Sequence, residues 1–372
     1  MIQSFLKTFS CSVFSAFIID FPTGDTIMQK TITIRDVAKR AGVGISTVSR
    51  VVNGGAGVNE ATRERVRAVI AECGYAPNNN ARQLKQRHAD AAAVIVRGAG
   101  SMFLASVLEL LQPRIEALGL RFLAHYIDEH DDEAAAARAI HAEKKVRGIV
   151  LLGGSVVGRE DKLDLPNVPC VYATLDARTV RAKNVFSVSV DDRAAAYAAT
   201  DYLLARGHRN IAVLGGRLDA ENPIALRFRG VLDAFSARGL AFPRANYLPA
   251  GFSFAAAHAA MDAALSQGFG CTAVFAMSDI MAIGAARALA DHGRSIPGDV
   301  SIMGFDGIAL AHYMLPRLTT MCQNAEAIAR ESAALLALGL SDAPGVRHVT
   351  LDAELIEGES VANSSRPALD RI

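Results

Sequence analysis

From Thr31 to Asn53 the polar and apolar positions follow a helical period. Ile34, Val37, Ala38 and Ala41 recur at i, i+3, i+4 and i+7, which puts one small apolar stripe on a single helical face. Thr33 precedes the stripe as its N-cap, and Asp36 lies three residues on, where a capping-box acid reaches back to an open backbone N–H. Gly42 ends this helix, because a residue without Cβ takes the left-handed turn at little cost, and Val43 fills the corner. In the helix that follows, Val48, Val51 and Val52 face back into the pair while Ile45, Ser46, Ser49 and Arg50 face out. A glycine turn between two helices, the second with a short basic face, predicts a helix-turn-helix that enters the DNA major groove. A plain helical hairpin has the same spacing, and both readings stay open on periodicity alone. The stretch 53–57 is a glycine-rich loop, Asn59 caps a third helix with Val66, Val69, Ile70 and Cys73 at core spacing, and Gly74 ends it. Residues 78–87 are polar, with Leu84 the one large apolar side chain among Arg82, Lys85 and Arg87.

From Ala91 the pattern changes to short apolar runs alternating with alanine-rich helical stretches. AAAVIV, LRFLAHY, GIVLLGG, VPCVYAT, NIAVLGG, CTAVFAMS and VSIMGFD are flanked by glycine or polar groups, as buried parallel strands are. The expectation is a doubly wound α/β unit long enough for two lobes.

Composition sharpens this division. The 372 residues exceed one ordinary core and suggest two or three domains, and 51% of them are apolar. The formal net charge of +1 hides an asymmetry, since residues 31–90 carry ten Lys or Arg against five Asp or Glu while the body beyond is mildly acidic. That balance points to a polyanion partner for the small part only. Five cysteines (Cys11, Cys73, Cys170, Cys271 and Cys322) lie far apart, so neither a zinc knuckle nor a disulfide framework is expected and they read as reduced cytosolic thiols. No run of 18 apolar residues suggests a membrane span. Residues 1–27 are apolar and aromatic, but Ser and Cys interrupt them, so they make a poor export signal and translation is expected to start at Met28.

Signals for catalysis or metal binding fade on inspection. Gly98-Ala99-Gly100 follows a strand, yet Phe103 stands where a dinucleotide fingerprint needs a third glycine. His125 and His130 flank an acidic loop of Asp128, Glu129, Asp131 and Asp132, whose spacing suits a solvated loop better than a ligand set. No enzyme motif, cofactor or metal is expected.

The run DVAKRAGVGISTVSRVVN, with TRERVRAVIAECGYAPNNNARQLK downstream, resembles the DNA-binding headpiece of the LacI/GalR family of bacterial repressors. DYLLARGHRNIAVLGG, MSDIMAIGAARAL and PGDVSIMGFD resemble blocks of the family's effector-binding core, which has the periplasmic-binding-protein type I fold. The resemblance implies an all-α helix-turn-helix headpiece at 31–76 after an extension at 1–30, a hinge helix at 77–90 and a two-lobed α/β core at 91–367. The N-lobe is expected at 91–190 and 322–349 and the C-lobe at 191–321 and 350–367, with crossings near Val190, Met321 and Thr350. It implies DNA contacts from Thr33, Ile45, Ser46, Thr47, Ser49, Arg50 and Asn53, and from Arg82, Leu84 and Lys85 in the hinge, where Leu84 matches the minor-groove wedge that bends the duplex.

For the effector, the resemblance implies Arg227, three residues before Gly230, and Asp306, at the carboxyl end of its strand, with Asp279 as a further position that also suits a helix cap. Phe103, Tyr172 and Phe228 are the aromatic residues placed near the cleft. GHRNIAVLGGRLD resembles the gluconate-type branch, and Arg227 offers a cation to a carboxylate while Asp306 accepts from hydroxyls, so a sugar or sugar acid is expected. Two residues depart from the family pattern: Gly44 replaces a capping serine, and Asn363 stands where arginine is common. The expected protein is a cytoplasmic homodimeric repressor gripping double-stranded operator DNA under control of a small effector, with no membrane partner. A solute-binding protein of the same core fold is the alternative.

Overall fold

The structure is a computed structural model, and it describes residues 32–52, 56–74, 90–98, 100–128, 131–154, 164–218, 222–341 and 345–364. Two compact units divide the chain, the first ending at Arg87 and the second starting at His88.

The first unit holds α1 (Ile34–Ala41), α2 (Ile45–Val52) and α3 (Glu60–Cys73). Asp36 accepts from the Thr33 backbone N–H at 2.9 Å and from its hydroxyl at 2.7 Å, closing the first turn of α1. Gly42 takes the left-handed conformation (φ 65°) and returns its N–H to the Ala38 carbonyl, so the turn needs the residue found there. Asn59 accepts from the Thr62 N–H at 2.9 Å, and Gly74, also left-handed, ends α3. Val37, Val48 and Val66, one from each helix, are wholly buried against one another's helices. Each contributes roughly 1.5–3 kcal/mol, which is how a unit this small holds three helices together.

The second unit contains two sheets of six strands each. The first sheet has the order β11-β5-β4-β3-β1-β2, from β1 (Ala91–Arg97), β2 (Arg121–Ile127), β3 (Gly148–Leu152), β4 (Cys170–Ala173), β5 (Val185–Val190) and β11 (His348–Leu351). The second runs β12-β10-β9-β8-β6-β7, from β6 (Ile211–Gly215), β7 (Tyr247–Pro249), β8 (Ala273–Ala276), β9 (Ser301–Asp306), β10 (Thr319–Cys322) and β12 (Glu354–Ile356). The order is the same in both, β12 alone pairs antiparallel, and each sheet reverses direction at a switch point beside its first strand. The inner strands β3, β4, β5, β6 and β8 are buried along their whole length because helices cover both faces.

The helices of this unit are α4 (Met102–Ala117), α5 (Glu133–Lys144), α6 (Asp192–Ala205), α7 (Pro223–Ala237), α8 (Phe254–Ser266), α9 (Asp279–Asp291) and α10 (Ala325–Leu340). The chain leaves the first sheet after Val190, returns after Cys322 and leaves again after Leu351. Cys322 still pairs with Asp306 in the second sheet, and Leu351 with Val190 in the first. Among the described residues no helix is long and apolar enough to cross a membrane.

Candidate functional site

In the first unit, the outer face of α2 leaves Ile45, Ser46 and Arg50 exposed and Thr47 and Ser49 half-buried. Thr33 is exposed at the start of α1. Gly44 supplies no capping side chain, and its carbonyl starts α2 by accepting from Thr47 and Val48. Asn53, Arg82, Leu84 and Lys85 lie outside the described residues, as do Glu129 and His130 of the acidic loop. Within that loop, the Asp131 carboxylate accepts from the Asp128 N–H and Asp132 caps α5, so both acids serve local structure.

In the second unit a cavity of about 350 Å³ opens where the carboxyl ends of the two sheets meet. Its lining comes from the residues that close strands: Arg97 on β1, Gly153 after β3, Thr174 after β4, Ser278 after β8, Asp306 on β9 and Gln323 after β10. Asn222 and Arg227 enter from the start of α7, and Phe103 and Phe252 form apolar walls. Parallel sheets gather ligand groups at this end because the strand-to-helix loops and the helix N-termini converge there. Two of the lining residues hold positive φ without being glycine, Thr174 at 78° and Asp306 at 118°. Such backbone costs on the order of 1–3 kcal/mol and persists where the surroundings fix it for function.

Arg227 is buried and paired. Its Nε donates to the Asp192 carboxylate at 2.7 Å, its Nη1 donates to the Met277 carbonyl at 2.6 Å, and its guanidinium lies 3.7 Å from the centre of the Phe305 ring. The motif LRFRG makes this reach possible: a Cβ on Gly230 would strike the backbone of Arg193 and Tyr197 on α6, so glycine lets α7 approach the helix that carries Asp192. The cation that Arg227 offers to the cavity thus already faces the counter-charge of Asp192. Burial raises the Asp192 carboxyl and the Arg227 charge opposes that shift.

Asp306 accepts from the Gln323 side-chain amide at 2.6 Å. Burial raises its carboxyl to about 8, against the pull of Arg227 and with Asp279 adding to the rise. Part of Asp306 stays open to the cavity, so water or a ligand there bears directly on whether it ionises.

Three residues expected near the cleft lie outside the cavity lining. Tyr172 is completely buried in the first lobe, with its hydroxyl 3.4 Å from Glu133, and it lines no part of the cavity. Asp279 is completely buried beneath the cavity, where it accepts from the Thr320 hydroxyl at 2.6 Å and the Ile308 N–H at 2.8 Å. It braces β9 and β10 behind Asp306 while Ser278 caps α9 and lines the cavity. Phe228 likewise packs against Phe242 and Tyr247, away from the cavity. Sequence reasoning missed Arg97, Thr174, Asn222, Phe252 and Gln323; for Arg97 the signal was a single charge closing an apolar strand, the same signal that singles out Asp306.

Residues 33–78 match the family described as bacterial regulatory proteins, lacI family, and residues 200–361 match a periplasmic binding protein-like domain. The HTH-type transcriptional regulator MalR of Clostridium butyricum is 31% identical over 336 residues, which are 89% of this chain and 99% of that protein. The HTH-type transcriptional repressor PurR of Serratia proteamaculans (strain 568) is 32% identical over 339 residues, 89% of this chain and 97% of that protein. Among solved structures, a transcriptional regulator CelR–cellobiose complex is 31% identical with a TM-score of 0.65, covering 88% of this chain and 99% of that one. The lac repressor dimer bound to operator and the anti-inducer ONPF is 25% identical with a TM-score of 0.70, covering 90% and 100%. The headpiece helices, the twin sheets and these full-length matches lead to one conclusion: the chain belongs to the LacI family and is a DNA-binding transcriptional regulator with a periplasmic-binding-protein-like core.

Proposed function

We propose that this regulator is a homodimeric repressor that reads operator DNA with α2 and answers to a sugar or sugar acid bound in the cavity of its core. The observation that carries the effector reading is the cavity itself, where polar groups from both lobes (Arg97, Thr174, Asn222, Arg227, Asp306 and Gln323) converge between Phe103 and Phe252. Hydroxyl-rich ligands use such a mixture of fork-shaped donors, a carboxylate acceptor and apolar walls. The CelR relative holds cellobiose, which supports a sugar, and the resemblance of GHRNIAVLGGRLD to the gluconate-type branch keeps a sugar acid in the reading. A ligand that touches both lobes favours one lobe arrangement, and that differential affinity is what shifts operator binding.

On the DNA side, Ile45, Ser46 and Arg50 approach base edges while Thr33, Thr47, Ser49 and Asn53 approach the backbone; Arg82, Leu84 and Lys85 act in the minor groove as the resemblance implies. Tyr313 and Leu315, 83% and 95% exposed, are the most open large apolar side chains among the described residues of the core, and they support a second copy of the chain as partner. The protein acts in the cytoplasm, where its operator lies.

Fluorescence anisotropy on an operator duplex, with and without a sugar panel, tests the proposal. Arg50→Ala is expected to lose about 1–3 kcal/mol on the operator and to relax preference at one base per half-site. Equal weakening on operator and random DNA would move Arg50 to the phosphate backbone, and an operator response to no sugar or sugar acid would overturn the effector reading.

A further inference from the structure

Among the described residues two guanidinium groups line the cavity, one from each lobe, and each is held by a carboxylate that solvent hardly reaches. In the second lobe the pair is Arg227 with Asp192, 7% and 6% exposed. In the first it is Arg97 with Glu133 at 2.6 Å, 18% and 1% exposed, and Arg97 also donates to the Asp131 carbonyl at 2.9 Å. Glu133 is the first residue of α5 but not its cap, a role that Asp132 fills. Its carboxylate turns inward beneath the Tyr172 hydroxyl. Gly154 makes room for it, since a Cβ there would lie 3.1 Å from Glu133 and 3.0 Å from Tyr172. A carboxylate buried this deeply is costly unless paired, and its charged partner is a residue on the cavity wall. The first lobe thus devotes a buried glutamate, with a glycine that makes room for it, to neutralising one arginine.

We propose that Arg97, neutralised and aimed by Glu133, is a specificity-determining residue of the first lobe and selects an uncharged sugar over the corresponding sugar acid. This rests on the sugar reading above. Both arginines arrive with their counter-charges in place, so the described residues of the cavity carry no excess positive charge. A sugar acid brings a further negative charge to a site with no excess positive charge, whereas neutral hydroxyls accept from the two forks and donate to Asp306. Glu133 therefore sets the charge of the ligand without touching it, and acts as a positioning residue.

The test is calorimetry on the full chain with two matched pairs, cellobiose with cellobionate and glucose with gluconate. The wild-type protein is expected to prefer the neutral member. Glu133→Gln removes the buried counter-charge of Arg97, and the ratio of neutral to acidic affinity is expected to fall by about tenfold or more, as a unit charge at close range in a partly dry site implies. The double variant R97Q, E133Q removes both charges and returns the ratio toward wild type, which a merely structural role for Glu133 would not do. Should Glu133→Gln fail to fold, Arg97→Gln alone carries the test, with both ligands weakened and the acid weakened more. A wild-type preference for the acids, or a ratio unmoved by Glu133→Gln in folded protein, overturns the inference while leaving the sugar reading standing. Binding of neither sugars nor acids overturns the sugar reading and this inference with it.

Discussion

The two lobes of the core are built on one strand order and present different chemistry to the cavity they share. The second lobe packs charge deep beneath the site: Arg227 on Asp192, Asp306 on Gln323, and Asp279 under Thr320 and Ile308. The first lobe contributes a single pair, Arg97 with Glu133, backed by Tyr172. Helix packing differs in the same way. In the second lobe α6 and α7 touch through Gly230, and α8 and α9 through Gly284, both glycines lying against backbone. In the first, Gly339 of α10 lies against the side chains of Pro169 and Phe186. The lesson is that a repeated scaffold fixes where ligand groups gather, while the depth of burial beneath them decides how rigid and how charged each wall is.

The sharpest way to break this comparison is Arg227→Ala. It strands Asp192 in a dry site, and about 3–5 kcal/mol of core stability is expected to go with it, along with the ligand response of operator binding. Arg97→Ala, whose guanidinium is more open, is expected to cost less; urea denaturation of the two variants measures the difference.

Next in size is Gly230→Ala. The added Cβ meets backbone that cannot rotate away, so α6 and α7 must separate, at about 1–3 kcal/mol by thermal unfolding. Gly339→Ala is expected to cost less, because the nearest atom its Cβ would meet, Pro169 Cβ at 2.6 Å, lies farther off than the Arg193 carbonyl at 2.1 Å from Gly230.

A smaller effect is read in the pH dependence. Burial raises Asp306 from 3.8 to about 8, so the folded core keeps a proton that the unfolded chain gives up. That contribution is full below about pH 4 and is lost as pH rises through about 8. Asp306→Asn is expected to flatten this decline. His208 and His348, whose burial lowers them and whose effect runs the other way, are common to both proteins, so the difference between the two curves reports Asp306 together with its neighbour Asp279, which burial also raises.

Tyr172→Phe is expected to be the mildest change, removing one long hydroxyl contact to Glu133 at about 1 kcal/mol or less with sugar affinity unchanged. A large loss of affinity by calorimetry would return Tyr172 to the ligand site.

Much of the first unit was legible in the sequence because its contacts are local. Thr33 with Asp36, Gly42, Asn59 with Thr62, and Gly74 all act within one helical turn, and the buried valines repeat at helical spacing. Most inner strands of the core were legible as apolar runs, but β5 and β10 were not. Their serines and threonines interrupt the apolar run, and Ser187 and Thr320 are buried with partners far along the chain, His348 and Asp279. In the cavity, Phe103 and the Arg227 and Asp306 that the family resemblance implies lie on the wall, whereas Tyr172 and Asp279 are buried outside the lining.

By itself the sequence determined the helix caps, the alternation of strands with helices and the strand ends where a ligand would gather, since each depends on residues within a few positions of one another. Only the tertiary structure decided which carboxylate faces which arginine. Asp192 and Arg227 are 35 residues apart, Arg97 and Glu133 are 36 apart, and neither pair shares an element. Whether a charge is buried, paired or open to a ligand depends on how closely two elements approach. Gly230 and Gly154 set that approach by leaving out a Cβ, a consequence that appears only when the opposing backbone or side chain is in place.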